Sequence, residues 1–498
     1  MRDAELAASY DAVPYESRPL RPTHPSNLAV MAHLAGFSPP DLRGCRVLEI
    51  GCATGGNLLP LADSLPGAHL VGIDLAASQI AIGQRVVREL GLENVELRAA
   101  SILDVDFAPG SFDYIICHGV YSWVPEAVQV GILAACGRWL SSSGVAYVSY
   151  NTYPGWHLRS MVRDMLHYRV RDIAAPRARI QACREFLVYL LAYVRDRDSA
   201  FGKAVFEEAT LIAEASDTYV FHEHLELDNR PVYFHQVAAA ARQHGLEYVS
   251  EAEARDHDHD GGEGDIRIAR EQERDFLGGT TFRRSLLRRA DAPRVGRTGA
   301  DRITSLWLAS AAQPERDAVD VEGQGVEVFV GQGGQKLSIQ HPWLKAAFVL
   351  LGARWPEATP FADLAAEIAQ RLGGPPPPEA MDEILGSLRV CHAGGVLALD
   401  PCRGVATSRP GDRPTASAHA RLMAREARRV SSLRHNLVEV REVDRQLLLL
   451  LDGTRDRAAL ASALAHAARA QAFTLPNDPR VAVEESLGIL RMAALLRA

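Results

Sequence analysis

The chain has 498 residues, too many for one ordinary hydrophobic core, so two to four domains are expected. A formal net charge of −8 and a pI near 6.1 argue against a general binder of nucleic acid or anionic membranes. Seven cysteines without CxxC spacing, and no HExxH motif, argue against a disulfide framework or a metal site. The first ten residues lack an apolar core and no apolar run approaches ~20 residues, which predicts a cytoplasmic protein without a membrane span.

Residues 1–40 are polar and rich in proline, which predicts an extended arm with a short helix near Asn27–Leu34. Residues 41–168 then alternate strands and helices, the pattern of a parallel sheet with helices on its faces. The predicted strands are Arg46–Ile50, Leu70–Ile73, Val95–Ala99, Tyr114–Cys117 and Val145–Tyr150, and the predicted helices are Gly56–Ser64, Ser78–Leu90, Ala127–Leu140 and Trp156–Tyr168.

The region after this sheet is helical and carries no strand pattern over residues 169–225. We interpret it as an insertion that serves as a substrate lid, a homodimer face or an ordinary covering layer. Residues 226–312 are expected to complete the sheet domain through a helix over Arg230–Gly245, the strand LEYVS and a last strand over Ile303–Ser310. Glu251–Asp265 is acidic and histidine-rich, but it lacks regular ligand spacing and therefore predicts a solvated loop.

Two smaller modules follow, over residues 320–405 and 416–498. Both have winged-helix-like proportions, and the second is predicted to be almost entirely helical. The predicted architecture is therefore α/β: a Rossmann-like sheet with a helical insertion, followed by two small winged-helix-like modules.

The strongest local signal is the segment VLEIGCATGGN over Val47–Asn57, where a strand runs into a turn of small residues and then a helix. Glycine lets bare backbone approach a ligand, and the helix start leaves N–H groups free for an anionic group. The pattern Glu49-x-Gly51-x-Ala53-x-Gly55 fits the acidic-x-Gly-x-Gly-x-Gly turn of S-adenosylmethionine-dependent methyltransferases, with alanine at the middle glycine. The nicotinamide turn Gly-x-Gly-x-x-Gly is matched only in a degraded form. The acid in the strand favours a cofactor that carries a cationic amino acid group.

The ends of the later strands supply further candidates. Asp74 ends the second strand, where an acid can accept hydrogen bonds from both ribose hydroxyls. Ser101 and the backbone of Ile102 follow the third strand beside the expected adenine, with Asp104 as a neighbouring alternative. His118 follows the fourth strand at the mouth of the sheet. The predicted residues for S-adenosylmethionine are Glu49, Gly51, Cys52, Ala53, Gly55, Asn57, Asp74, Leu75, Ser101, Ile102 and His118.

Together these motifs resemble class I S-adenosylmethionine-dependent methyltransferases. The flanking segments resemble more closely the bacterial group that carries a methyltransferase regulatory domain. The resemblance covers about residues 10–310, and RHNLVEV…LLLLLDGTRDRAAL (434–460) is similar to the winged-helix-like tail of that group. It implies a protein-lysine acceptor, because the better-known members methylate outer-membrane proteins. The matching segments are YDAVPYESRPLRPTHPSNL (10–28), HGVYSWVP (118–125), SYNTYPGWH (149–157), RPVYFHQVAAAARQHGLEY (230–248) and FRRSLL (282–287).

Methyl transfer is an in-line displacement, so catalysis depends mainly on positioning a nucleophile about 3 Å from the methyl carbon. The expected pocket lies beyond the carboxyl ends of the strands. Aromatic rings there could line a channel for a lysine side chain and attract its charge. The predicted catalytic residues, which follow strands four and five, are His118, Tyr121, Trp123, Asn151, Tyr153 and Trp156.

Several roles stay open on sequence grounds. His118 is either a general base, because its ordinary pKa suits neutral pH, or a hydrogen-bonded residue that shapes the pocket. Trp123 and Trp156 line the pocket or belong to the core. The segment NTYPGW over 151–156 is a wall of the substrate side, a strand-to-helix hinge or a chance run of turn residues.

The arm residues Tyr10, Tyr15 and His24 either cover the cofactor or pack plainly. Two other functions also remain: methylation of a small molecule, and regulation through DNA. The basic segment Arg421–Arg434 motivates the second, although it equally predicts an exposed, arginine-bearing helix.

Overall fold

The computed structural model describes residues 17–497 apart from 227, 255–263, 297–298, 472 and 476–477. Its centre is a seven-stranded sheet in the order β3-β2-β1-β4-β5-β7-β6. Strands β1 to β5 pair in parallel, whereas β7 runs antiparallel to both β5 and β6. The strands are β1 Arg46–Ile50, β2 His69–Asp74, β3 Val95–Ala99, β4 Phe112–Cys117, β5 Leu140–Asn151, β6 Leu246–Glu251 and β7 Phe282–Arg289.

Helices cover both faces of this sheet, as the alternating pattern predicts. The apolar run of β1 is buried on both faces, since parallel strands are covered on each side. One core packs around Val47, Leu70 and Tyr147, and the other around Leu48, Ile115 and Leu287. The helices of this region are α1 Pro25–Leu34, α2 Leu59–Ser64, α3 Ala77–Leu90, α4 Glu126–Trp139 and α5 Gly155–Val170.

The predicted helical insertion contains α6 Pro176–Val194 and α7 Ala200–Glu214. With the long helix α5 they enclose a separate apolar cluster that includes Leu166, Leu187 and Val205. A π-helical turn over Val220–Leu225 follows α7 and leads the chain back toward the sheet. The insertion therefore has its own small core and stands on the carboxyl-end side of β5.

The sheet is completed by α8 Phe234–Gln243, β6, α9 Gly264–Gly278 and β7. The expected last strand over Ile303–Ser310 was wrong as an element of this sheet. That segment forms a 3₁₀ turn and the short strand β8 Trp307–Ala309, which pairs with the next module. The sheet instead continues from β5 through the internal, arginine-rich β7 to β6 at the edge. In β7, Arg283 and Arg288 are buried because carboxylates neutralise them. Most of the loop expected over Glu251–Asp265 lies outside the described residues.

The middle module packs three helices on two small sheets. Its core includes Trp343, Phe348 and Leu388. The module's elements are β8, β9 Gln313–Pro314, β10 Glu327–Val330, β11 Lys336–Ile339, α10 Pro342–Arg354, β12 Thr359–Pro360, α11 Phe361–Leu372, α12 Pro378–Ala393 and β13 Ala398–Asp400.

The C-terminal module is less helical than predicted, because it contains a β-hairpin, the wing of a winged helix. Each strand of this hairpin spans three residues. A strand that short does not show the alternation of apolar and polar residues by which strands are predicted. The module's elements are β14 Thr415–Ala416, α13 Ala418–Met423, β15 Arg429–Ser431, β16 Leu437–Glu439, α14 Glu442–Leu450, α15 Arg457–Gln471, α16 Pro479–Met492 and β17 Leu496–Arg497.

The C-terminal module docks on the sheet domain through polar contacts. The carboxylate of Asp63, at the end of α2, accepts hydrogen bonds from the Ser417 hydroxyl and the His419 amide. Asp400 of the middle module pairs with Arg21 of the arm and Arg434 of the tail. These buried contacts join the arm, the sheet domain and both modules into one assembly.

The basic segment Arg421–Arg434 does not present its arginines as one free face. Arg425 pairs with Glu89 of α3, and Arg434 pairs with Asp400. Arg428 donates to the carbonyl of Val440. Because these three arginines already have partners within the chain, the segment gives little support to binding through the phosphates of DNA. In the described part of the chain, no helix is long and apolar enough to cross a membrane.

Candidate functional site

A cavity of about 220 Å³ opens at the carboxyl ends of β1, β2 and β4. Its walls come from the β1–α2 turn, the end of β2, the loop after β3 and the loop after β4. The residues on the wall that were predicted to hold the cofactor are Glu49, Gly51, Ala53, Asn57, Asp74, Leu75, Ser101, Ile102 and His118. The strand ends predicted from sequence therefore converge on one cavity.

The β1–α2 turn has the backbone conformation that its small residues predict. Gly51 has φ +75°, and a Cβ there would lie 2.3 Å from a methyl carbon of Val120. Ala53, at the middle-glycine position, also lies in the left-handed region with φ +50°. Its amide donates a 2.8 Å hydrogen bond to the Asp74 carboxylate, which also accepts from the amide of Ala76. Asp74 therefore holds the strained turn as well as lining the cavity.

Cys52 and Gly55 support the turn from outside the cavity wall. Cys52 is buried, and its sulfur would lie 2.7 Å from a Cβ placed on Gly72 of β2. Gly55 has φ +80° and packs against Leu59 at the start of α2. Both positions require small or apolar groups because the turn sits directly on the sheet.

Two buried polar atoms face the cavity without a partner among the described residues. One is Oε2 of Glu49; the other carboxylate oxygen accepts a 2.8 Å hydrogen bond from Asn57 Nδ2. The second is Oε1 of Gln79, a residue of α3 that sequence reasoning missed. Burial raises the pKa of Glu49 to about 8, and the neighbouring Asp74 adds to the effect. The unpartnered oxygen of Gln79 fits a ligand with N–H donors, and the unpartnered oxygen of Glu49 fits a cationic group.

The side-chain amide of Asn57 connects distant parts of the chain at this site. Its oxygen accepts hydrogen bonds from the Leu20 amide at 2.9 Å and the Thr23 hydroxyl at 3.1 Å. It also lies 2.9 Å from Nε2 of His435, which donates because Asn57 Oδ1 can only accept. Since Asn57 Nδ2 holds Glu49, the C-terminal module reaches the cavity carboxylate through one intervening side chain.

We expect His435→Ala to weaken binding of S-adenosylhomocysteine by about 3- to 10-fold, the cost of one lost buried hydrogen bond. The reason is that Asn57 would lose one of the contacts that orient its amide toward Glu49. Isothermal titration calorimetry measures the effect. His466→Ala, at an exposed histidine of α15, is the matched control and should leave affinity unchanged. Equal affinity in both variants would contradict the coupling.

The arm reaches the cavity with residues other than those predicted. The cavity wall includes Ser17, Arg18 and Leu20. The sequence indicated only that the segment YESRPLRP as a whole belongs to an arm near the cofactor. His24 is buried and caps α1 by accepting from the Ser26 amide, so it packs rather than covers the cavity. Tyr10 and Tyr15 lie outside the described residues.

Of the residues after β3, Ser101 and Ile102 line the cavity whereas the exposed Asp104 does not. The Ser101 hydroxyl accepts from the Leu103 amide at 3.3 Å, which closes the turn. This wall is mainly apolar, and Leu75 lies on the same cavity. The arrangement suits a flat ring held by its edges and faces.

His118 is half-buried beside the Tyr147 hydroxyl, with 2.8 Å between that oxygen and Nδ1, and 3.2 Å from Nδ1 to Ser149 Oγ. Burial lowers the pKa of His118 to about 4, helped by the positive charges of Arg284 and Arg18. The imidazole is therefore neutral at pH 7 and weakly basic. This geometry favours the pocket-shaping alternative over the general base.

The other predicted catalytic residues lie in different parts of the structure. Trp123 lines the cavity, and fully buried Trp156 packs edge-on behind it with ring centroids 6.3 Å apart. Tyr121 packs against Tyr150 in the core. Asn151 and Tyr153 do not lie on the described cavity wall: Asn151 donates to the side chain of Asn229, and Tyr153 stacks on His157 at 4.1 Å.

The segment NTYPGW therefore has the position of a strand-to-helix connection outside the described cavity wall. A Cβ on Gly155 would lie 2.4 Å from the carbonyl oxygen of Gly279, so this turn packs tightly on the loop before β7. Its Thr152 donates to the carbonyl of Val232 at 2.6 Å. A contact of these residues with the methyl acceptor stays a prediction.

The π-helical turn contributes His222 and Glu223 to the wall of the cavity that Trp123 also lines. Neither was predicted, because HEH within a helical insertion matches no local motif of cofactor or substrate binding. Only the return of the chain after α7 brings these residues to the site.

Three family models match successive parts of this chain. Residues 47–144 match a methyltransferase domain, residues 216–289 a predicted methyltransferase regulatory domain, and residues 412–494 the PKMT C-terminal winged helix domain. The first range contains the cavity loops, the second contains the π-helical turn, and the third contains His435.

Proteins of similar sequence and structure cover nearly the whole chain. An uncharacterized protein of Rickettsia prowazekii, RP789, is 32% identical over 473 residues, 91% of this chain and 85% of its own. The structure of PKMT2 from Rickettsia typhi in complex with AdoHcy is 26% identical, covering 97% of this chain and 100% of its own, with a TM-score of 0.84. A ubiquinone biosynthesis O-methyltransferase of Paracidovorax citrulli is 32% identical over 147 residues, but that is 29% of this chain and 58% of its own.

The fold and the cavity define the class as S-adenosylmethionine-dependent methyltransferase, which confirms the predicted fold, activity and cofactor. Within that class the chain belongs to the methyltransferase family that combines a regulatory domain with a PKMT C-terminal winged helix domain.

Proposed function

We propose that this enzyme transfers a methyl group from S-adenosylmethionine to the side-chain nitrogen of lysine in a protein. The observation that carries the proposal is the likeness to PKMT2 over the whole chain, C-terminal winged helix domain included. The likeness to a ubiquinone O-methyltransferase covers 147 residues, only 29% of this chain. The regions outside that shared part are the ones available to recognise a large acceptor.

The cavity supports a specific orientation of the cofactor. We assign the cationic amino acid group to Glu49, whose free oxygen would gain a charged partner. Asp74 would accept from the ribose hydroxyls, and Ser101, Ile102 and Leu75 would hold the adenine. Bound there, S-adenosylmethionine supplies an electrophilic methyl on a sulfonium centre. Gly51 and Gly55 would keep the backbone close to it.

Trp123 and the aromatic layer behind it support a channel for the acceptor side chain. An aromatic face attracts an alkylammonium by ~0.5–2 kcal/mol and tolerates its methylated forms. Trp123 lines the cavity, and Trp156 fixes its position from behind. The predicted cytoplasmic location and homodimer stay predictions.

The test is to incubate the purified enzyme with methyl-labelled S-adenosylmethionine and a bacterial lysate, then to separate proteins from small molecules. We expect label in protein, recovered as methyllysine after acid hydrolysis. The matched control is the cavity variant Asp74→Ala, which should incorporate little label. Label in the small-molecule fraction alone, or in an amino acid other than lysine, would overturn the proposal.

A further inference from the structure

The π-helical turn over Val220–Leu225 is the feature with no assigned role. Such wide turns are rare and often occur at functional sites. This one directs Glu223 to the same cavity wall as Trp123, on a segment far along the chain from the cofactor loops. The turn therefore supplies the cavity with a carboxylate additional to Glu49 and Asp74.

The Glu223 carboxylate forms no hydrogen bond or ion pair with any residue that the structure describes. The nearby cations Arg159 and Arg163 attract Glu223 through their charge, but the hydrogen bonds they form go to other groups. Arg159 of α5 lies 3.3 Å from Glu208 of α7, and Arg163 donates to the carbonyl of Glu226. A partly buried carboxylate on a cavity wall, without a hydrogen bond to a described residue, leaves room for a cationic ligand group.

The surroundings of Glu223 give it an unusual acidity. Burial raises the pKa of Glu223 to about 7, although Arg159, His222 and Arg163 act in the opposite direction. The carboxyl of Glu208 and the phenol of Tyr219 also belong to this group of charges. A carboxyl that titrates near neutral pH is suited to exchange protons with a bound substrate.

We propose that Glu223 receives the cationic amine of the methyl acceptor in the cavity that Trp123 also lines and takes a proton from it before methyl transfer. This inference rests on the proposed function, because it concerns the acceptor of that same site. A free lysine ammonium has a pKa near ~10.4 and no lone pair to offer. Loss of water disfavours the charged ammonium, and the carboxylate that binds it lies where it can accept its proton.

The step balances without any further reactant. One N–H bond of the ammonium breaks and its proton moves to the Glu223 carboxylate. The freed lone pair of nitrogen forms a bond to the methyl carbon, and the carbon–sulfur pair returns to sulfur. The products are a methylammonium, S-adenosylhomocysteine and protonated Glu223, which gives its proton to water.

The decisive variant is Glu223→Gln, which keeps the shape but can neither hold a charge nor take a proton. We expect the rate of methyllysine formation in lysate proteins at pH 7.5 to fall by ~10²- to 10⁴-fold. The rate of the normal enzyme should rise with pH through about 7, as Glu223 loses its proton, and the variant should lack this limb. Glu207→Gln, at an exposed glutamate of α7, is the matched control and should keep the normal rate and profile.

Two further measurements separate this inference from the proposed function. Calorimetry with S-adenosylhomocysteine should give equal affinity for Glu223→Gln and the unmodified enzyme; weaker binding would assign Glu223 to the cofactor instead and overturn the inference. With S-adenosylhomocysteine bound, n-butylammonium should bind the unmodified enzyme and bind Glu223→Gln at least ~10-fold more weakly. Equal binding of n-butylammonium would also overturn it. An enzyme that never labels lysine yet binds n-butylammonium through Glu223 would contradict the proposed acceptor but keep the amine site.

Discussion

Replacing Asp74 by alanine is expected to weaken S-adenosylhomocysteine binding by at least about 100-fold. In the free protein, the Asp74 carboxylate accepts hydrogen bonds from the backbone amides of Ala53 and Ala76, at 2.8 Å each. In the proposed complex it also accepts from the ribose hydroxyls. Hydrogen bonds to a charged group contribute ~1.5–3 kcal/mol each, and every 1.4 kcal/mol is a factor of ten in affinity. Isothermal titration calorimetry measures the loss directly.

Asp104→Ala is the matched control for this experiment. Asp104 also follows a strand of the sheet and was the neighbouring candidate beside Ser101, but it is exposed and does not line the cavity. We expect Asp104→Ala to bind S-adenosylhomocysteine with normal affinity. A normal affinity for Asp74→Ala, or an equal loss in both variants, would remove the cavity as the cofactor site.

The second large effect concerns stability and the buried Arg283 of β7. Its guanidinium is fully buried and pairs with Asp275 at 2.8 Å, Glu251 at 2.7 Å and Glu271 at 3.1 Å. Its plane also lies over the ring of Phe234 at 4.0 Å. Arg283→Met removes the cation but leaves the three carboxylates buried. We therefore expect the free energy of unfolding of the sheet domain to fall by ~3–5 kcal/mol.

Urea denaturation followed by tryptophan emission measures this loss, and pH provides a second readout. Carboxyls without their cation have raised pKa values in the folded variant, so the folded state binds more protons than the unfolded state. The difference in unfolding free energy between Arg283→Met and the unmodified protein should therefore grow as pH rises from 5.5 to 8. Arg284→Met changes the next residue, whose partly exposed side chain pairs with Glu253, and should cost less than ~1 kcal/mol. Similar losses in both variants would contradict the role of the buried network.

The cofactor loop was predictable because its signals are local. A strand acid, a turn of small residues and a helix start occupy Val47–Asn57, and the left-handed φ of Gly51 and Gly55 follows from the residue type. The strands β1 and β3 begin and end where their apolar patterns predict. Because parallel strands bring their carboxyl ends to one edge, Asp74, Ser101 and His118 could be assigned to one cavity before any coordinates were known.

Other features depend on partners that are far away along the chain. The FRRSLL segment has no clear strand alternation, yet it forms an internal strand because Asp275, Glu251 and Glu271 neutralise Arg283. The segment Ile303–Ser310 has good strand composition, yet it joins the middle module. Propensity alone cannot choose between two sheets, since long-range packing selects the partner.

The sequence by itself determined the class of the enzyme, its cofactor and most of the cofactor side of the cavity, because these follow from patterns a few residues long. Only the tertiary structure decided which residues close that cavity: Arg18 from the arm, Glu223 from the π-helical turn and His435 through Asn57. The physical reason is that such contacts form when separate hydrophobic cores dock on one another. Their geometry depends on the shape of the packed surfaces, which no short pattern of residue types records.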